Sequence, residues 1–224
     1  MADSPVFIAI DTPDAGRALA LARTVAPHAG GLKLGLEFFA AHGPGGVRDI
    51  AEQSGLPLFL DLKLHDIPNT VAGAVAALAP LAPAILTVHA AGGHGMLRAA
   101  KTAAPPGCRV VAVTVLTSLT ARDLEEMGLG ATPEALALSL ARTAREAGLD
   151  GIVCSPFEAA AVRRQWSDAC IVTPGVRPEG SALGDQKRAA TPREALRAGA
   201  DILVVGRPVT AAPDPAAAAA ALLA

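Results

Sequence analysis

Tyrosine is absent from this 224-residue chain, tryptophan occurs once and phenylalanine five times, so aromatic residues make up only 3% of a composition that is 51% hydrophobic. A core with so few rings has to be filled by Ala, Val, Leu and Ile, and alanine-rich helices laid on Val/Ile strands are typical of α/β proteins. Blocks of basic residues are missing as well. With 19 Lys and Arg against 21 Asp and Glu the net charge is -2, which gives nucleic acid or an anionic membrane surface no electrostatic hold. Cysteine is scarce: Cys108, Cys154 and Cys170 are widely spaced and odd in number. Cys154 and Cys170 fall in apolar, strand-like runs, where a thiol is expected to serve as a small buried hydrophobe. No apolar run approaches ~20 residues except the alanine tail, which follows prolines and is too weakly hydrophobic to span a bilayer. An apolar strand is reached by Val6 with no basic region and no cleavage pattern before it, so a cytoplasmic protein without membrane partners is the expectation.

What the chain does contain is alternation. Short apolar runs at Val6–Ile10, Gly31–Gly35, Pro57–Leu64, Ala84–His89, Arg109–Leu116, Gly151–Cys154, Cys170–Thr173 and Ile202–Val205 have strand character. Helical patterns follow them at Ala15–Ala26, Val47–Ser54, Asn69–Leu81, Gly92–Ala103, Pro133–Ala147, Pro156–Gln165, Thr191–Ala198 and Pro213–Leu223, with an extra segment around Leu124–Leu129. Strands that are nearly continuous in apolar residues belong to a parallel sheet covered by helices. Eight is the number at which such a sheet closes. The rival open, doubly wound sheet lacks its glycine-rich turn after the first strand. The expected fold is therefore α/β, a single-domain (β/α)8 TIM barrel across residues 1–224, a length that suits one large core and leaves no room for a second catalytic domain.

Such a barrel places its chemistry at the C-terminal ends of the strands. Asp11 ends the first strand, Lys33 lies near the end of the second, Asp61 and Lys63 end the third and His89 the fourth. Thr117 and Ser118 follow the fifth, Pro174 and Gly175 the seventh, Gly206 and Arg207 the eighth. Within Phe59–Thr70 a side-chain period of two puts Asp61, Lys63 and His65 on one face and Leu60, Leu62 and Leu64 on the other. Two carboxylates (Asp61, Asp66) and an ammonium within six residues, at the end of a buried strand, suggest a charge array built for chemistry. Gly206 permits close backbone approach and Arg207 supplies a permanently charged fork, where barrels of this class commonly bind phosphate. Between the seventh strand and its helix, the long connection Pro174 to Arg188 has the length of a functional lid.

Asp-x-Lys-x-x-Asp at Asp61, Lys63 and Asp66, followed by Ile67-Pro68-Asn69-Thr70, resembles the signature of the orotidine 5'-phosphate decarboxylase family. Thr173-Pro174-Gly175-Val176-Arg177-Pro178 and Gly184-Asp185-Gln186-Lys187-Arg188 resemble its phosphate-gripping loop, and the resemblance extends over nearly the whole chain. It implies loss of CO2 from C6 of orotidine 5'-monophosphate to give UMP, without cofactor or metal, in a homodimer with shared active sites. Lys63, Asp61 and Asp66 would be catalytic. Asp11 and Lys33 would contact the ribose, Thr117 and Ser118 the pyrimidine, and Arg177, Gln186 and Arg207 the phosphate; Ile67, Thr70, Pro174 and Gly206 complete the implied substrate-binding set. Asp66 and Thr70 would reach into the partner's site. The alternative is a metal-dependent phosphosugar decarboxylase or aldolase of the same superfamily, whose strand-two carboxylate has Lys33 in its place here, a cation that cannot ligate a metal.

Overall fold

The computed structural model describes residues 4–178 and 190–223. Eight strands run in chain order: β1 Val6–Ala9, β2 Gly31–Gly35, β3 Leu58–Leu64, β4 Ile85–His89, β5 Arg109–Val113, β6 Gly151–Val153, β7 Cys170–Pro174 and β8 Ile202–Val205. Each pairs in parallel with the next, and β8 returns to β1 through Phe7 opposite Val204, so the sheet is a closed barrel. Among the described residues the helices are α1 Ala15–Val25, α2 Leu36–Ser54, α3 Pro68–Leu78, α4 Gly93–Ala103, α5 Ala121–Glu126, α6 Pro133–Glu146, α7 Pro156–Gln165, α8 Pro192–Arg197, α9 Arg207–Thr210 and α10 Pro215–Ala220. None of them is long and apolar enough to cross a membrane.

Strand alternation divides the core in two. One set of side chains, including Ile8, Leu32, Leu34, Leu60 and Leu86, packs outward under helix residues such as Ala18, Ala22, Val75 and Ala144. The other set fills the barrel: Phe7, Phe59, Ile85, Val111, Val113, Val153, Val172 and Val204. Two of the few aromatic rings meet here, Phe7 edge-to-face on Phe59 at 6.2 Å. Their bulk is matched by a glycine, since a Cβ on Gly31 would lie 2.1 Å from the Phe7 ring. This apolar plug is the floor on which the polar layer stands.

Helix starts follow local chemistry. Asp14 accepts the Arg17 amide and opens α1, while Thr120, Ser155 and Thr191 each form a reciprocal capping box with the acid three residues on. Several boundaries differ from the sequence pattern, two of them most clearly. The α2 range holds two helical segments that meet at non-helical backbone at Gly43 (φ 60, ψ -165), so the sequence pattern caught the second and missed the first, which begins at Leu36. Strand β5 ends at Val113 rather than Leu116, and the residues after it turn over the barrel mouth.

Candidate active site

Where the strands end, a cavity of about 400 Å³ opens, a size suited to a small ligand. The side chains of Asp11, Lys33, Asp61 and Lys63 stand on one side of it; Val113, Val115, Leu116, Val153 and Val172 make an apolar wall, and Arg177, Gly206 and Arg207 lie at a third edge. The period of two aims Lys33 and Asp61 inward, two positions after Gly31 and Phe59 on their strands.

The charges form a continuous array. Lys63 Nζ lies 2.8 Å from both oxygens of Asp61, Lys33 Nζ lies 3.4 Å from Asp61 Oδ2, and Lys33 Nζ also reaches Asp11 Oδ1 at 3.3 Å. Asp61 and Lys33 are buried, while a third of the Lys63 side chain remains accessible. Burial by itself raises the Asp61 pKa, but Lys33 and Lys63, with hydrogen bonds from Lys63 and Thr87, outweigh it and hold the carboxyl below its ordinary value. Asp61 is therefore an anion between two cations. Gly35, at the end of β2, makes room for this array: a Cβ there would approach Lys33 Nζ to 3.2 Å and Asp11 Oδ1 to 3.4 Å.

Lys63 owes its position to an irregular backbone. Leu60 pairs with Leu86 and Leu64 with Val88, so β3 spends three residues where β4 spends one. Lys63 takes up the irregularity at φ 48, a left-handed conformation that costs an L-residue about 1–2 kcal/mol. Its amide donates to Thr87 Oγ1 at 2.9 Å, and the same hydroxyl donates to Asp61 Oδ1 at 2.9 Å. Sequence reasoning passed over Thr87. The available signal was its parity: in Ile85-Leu86-Thr87-Val88-His89 it is the polar residue on the inward face, two positions before His89.

The period of two stops at Lys63. His65 follows the end of β3, is exposed, and stacks on His89 with ring centroids 5.3 Å apart. Burial, His65 and Lys63 together push His89 below the ordinary imidazole value, so His89 is neutral at pH 7. Neither imidazole lines the cavity.

Of the expected substrate contacts, Asp11, Lys33, Thr117, Pro174, Arg177, Gly206 and Arg207 border the cavity. Ser118 is exposed and does not border the cavity, whereas its neighbour Thr117 does. Asp66, Ile67 and Thr70 are also exposed and absent from this chain's own cavity wall. The chain turns at Asp66, whose carboxylate accepts the Ile67 amide at 2.6 Å, and Pro68 starts α3. Gln186 and the expected lid from 179 to 188 lie outside the described residues. On either side of it, the Arg177 amide donates to Ala190 O at 2.9 Å. Arg177 is 8% exposed, and burial together with Arg207 pulls its guanidinium below the ordinary value. Two guanidiniums that repel each other beside a cavity suit a multiply charged anion. Among the described residues no three His, Cys, Asp or Glu side chains gather closely enough to hold a metal ion, and the strand-two position is filled by the Lys33 ammonium.

Comparison with known proteins agrees with this geometry. Residues 4–222 match the sequence model of the Orotidine 5'-phosphate decarboxylase / HUMPS family. The chain is 60% identical to an orotidine 5'-phosphate decarboxylase of Sphingopyxis alaskensis, over 95% of this chain and 94% of that one. It is 59% identical to the enzyme of the same name from Anaeromyxobacter dehalogenans, over 98% and 96%. The crystal structure of orotidine 5'-phosphate decarboxylase from Lactobacillus acidophilus superposes with a TM-score of 0.85 at 37% identity, covering 98% of this chain and 97% of the other. A closed eight-stranded barrel with this charge array at its mouth, and matches that run nearly from end to end, place the chain in the Orotidine 5'-phosphate decarboxylase / HUMPS family.

Proposed function

We propose that this protein decarboxylates orotidine 5'-monophosphate at C6, giving UMP and CO2 in pyrimidine biosynthesis, and that it works as a cytoplasmic homodimer. The observation that carries the reading is the Lys33–Asp61–Lys63 array, with an anion held 2.8 Å from one ammonium and 3.4 Å from another at the mouth of the barrel.

Cleavage of the C6 carboxyl bond leaves its electron pair on C6, in an orbital that the ring delocalises poorly. Lys63 Nζ is the cation that stabilises this developing charge and then gives C6 a proton; water restores the ammonium. The paired Asp61 holds the lysine Nζ in place, with both carboxylate oxygens 2.8 Å from it. Asp61 also sets a negative charge against the substrate carboxylate, a repulsion relieved as CO2 departs. Lys33 and Asp11 hold the ribose hydroxyls, Thr117 meets the pyrimidine, and Arg177 and Arg207 grip the 5'-phosphate. The apolar wall keeps water from the carbanion. Asp66 and Thr70, which do not border their own cavity, serve the partner's site.

The test is the loss of orotidine 5'-monophosphate absorbance in excess chelator, with UMP identified as product. Lys63→Ala is expected to lower kcat/KM by more than ~5 kcal/mol of transition-state stabilisation while UMP still binds. Retention of a tenth of wild-type turnover in that variant overturns the role of Lys63; turnover abolished by chelator overturns the metal-free reading.

A further inference from the structure

We infer that Thr87 is a positioning residue, its buried hydroxyl fixing Lys63 and Asp61 relative to each other so that the ammonium is presented to the substrate. The inference rests on the decarboxylase reading of the site and adds to it a residue that touches no substrate.

The argument begins with the sheet. Between the pairs Leu60–Leu86 and Leu64–Val88, residues 61–63 of β3 stand opposite the single residue Thr87 of β4. The ladder therefore cannot satisfy the Lys63 amide, and a buried amide needs a partner. The side chain of Thr87 supplies it, accepting that N–H at 2.9 Å. A hydroxyl has one proton and two lone pairs. Its proton goes to Asp61 Oδ1 at 2.9 Å, so both bonds form at once and each orients the other. Thr87 is 0% exposed, which leaves water no route to stand in for it. The branched Cβ restricts χ1 and so defines where the oxygen sits.

Lys63 has reason to drift without that hold. At φ 48 it occupies backbone space that L-residues avoid, and relaxation toward negative φ would swing the whole side chain away. Asp61 would lose a donor at the oxygen it shares with Lys63. Thr87 does not border the cavity. Its loss should thus appear in kcat, with substrate affinity kept.

Thr87→Val keeps the shape and removes the hydroxyl; Thr87→Ser keeps the hydroxyl and removes the methyl. For Thr87→Val, kcat is expected to fall about 30-fold with KM and UMP affinity within about threefold of wild type. Thr87→Ser is expected to recover most of that loss, and hydrogen exchange at the Lys63 amide, followed by NMR, to quicken in Thr87→Val only. Should Thr87→Val not fold, Thr87→Cys takes its place, with the same split between kcat and KM expected. Wild-type kcat in the hydroxyl-free variant, or an equal loss in Thr87→Ser, overturns the inference. If the wild-type protein does not turn over orotidine 5'-monophosphate, it is the functional reading that fails. Thr87 is then judged by Lys63 amide exchange alone, and unchanged exchange in the variant overturns its role.

Discussion

In the proposed function Arg177 and Arg207 would share the work of holding the phosphate, and they are placed differently for it. Arg177 is buried, with its Nη1 donating to Val176 O at 3.0 Å, whereas Arg207 follows β8 and is exposed at the cavity edge. Truncating the buried one disturbs the turn that its backbone makes with Ala190. Truncating the exposed one removes charge from the cavity edge without touching that turn. Arg207→Ala is therefore the cleaner probe of the phosphate site. A hydrogen bond to a charged group is worth about 2 kcal/mol, roughly 30-fold in affinity. The variant should bind UMP that much more weakly, leave uridine binding unchanged, and melt at the wild-type temperature. Equal losses for nucleotide and nucleoside in calorimetric titrations would assign Arg207 to the fold instead of the phosphate.

The strands carry the site because close packing inside the barrel fixes their register. Gly151 opens β6, and a Cβ there would fall 2.0 Å from the Cys170 carbonyl oxygen on β7. Backbone cannot yield as a flexible side chain does, so Gly151→Ala should cost about 3 kcal/mol and lower Tm by roughly 6–12 °C, measurable by thermal melting. An unchanged Tm would mean that the two strands can part without penalty. The strands themselves were legible in the sequence, since parallel strands buried on both faces appear as short continuous apolar runs. The charged rim was legible for a related reason: a polar residue at the end of an apolar strand has few structural uses. Legibility failed where a helix follows a strand with no connecting loop. Gly43 and Pro44 do stop a helix, but the segment before them, from Leu36, was missed: it lies directly after β2 and buries Phe38, as the segment after the break buries Val47. Thr87 failed differently, because the irregularity in β3 that gives its hydroxyl a purpose is a property of two strands together and has no mark in either alone.

At the scale of the molecule, Phe59–Thr70 points in two directions. Asp61 and Lys63 line their own cavity, while Asp66, Ile67 and Thr70 are exposed and do not border it. Leu36 and Ile67, just past the ends of β2 and β3, leave 59% and 65% of large apolar side chains open on that same rim, a surface suited to a protein partner. A second copy docked about a twofold axis would cover these residues and bring its Asp66 and Thr70 to this chain's Lys63. Each site would then need two chains. Lys63→Ala and Asp66→Ala homodimers should both be impaired, since every site in either carries one lesion. In a mixed dimer one site carries both lesions and the other carries neither. Random exchange makes about half of the dimers mixed, so about a quarter of all sites should regain wild-type turnover under twofold symmetry. Exchange is verified by mass spectrometry of differently tagged chains, and activity is followed as the dimers equilibrate. If exchange is complete and activity does not rise, Asp66 acts within its own chain, and its exposure in this structure has to be explained by a movement of the turn at Ile67 and Pro68 instead of by a partner.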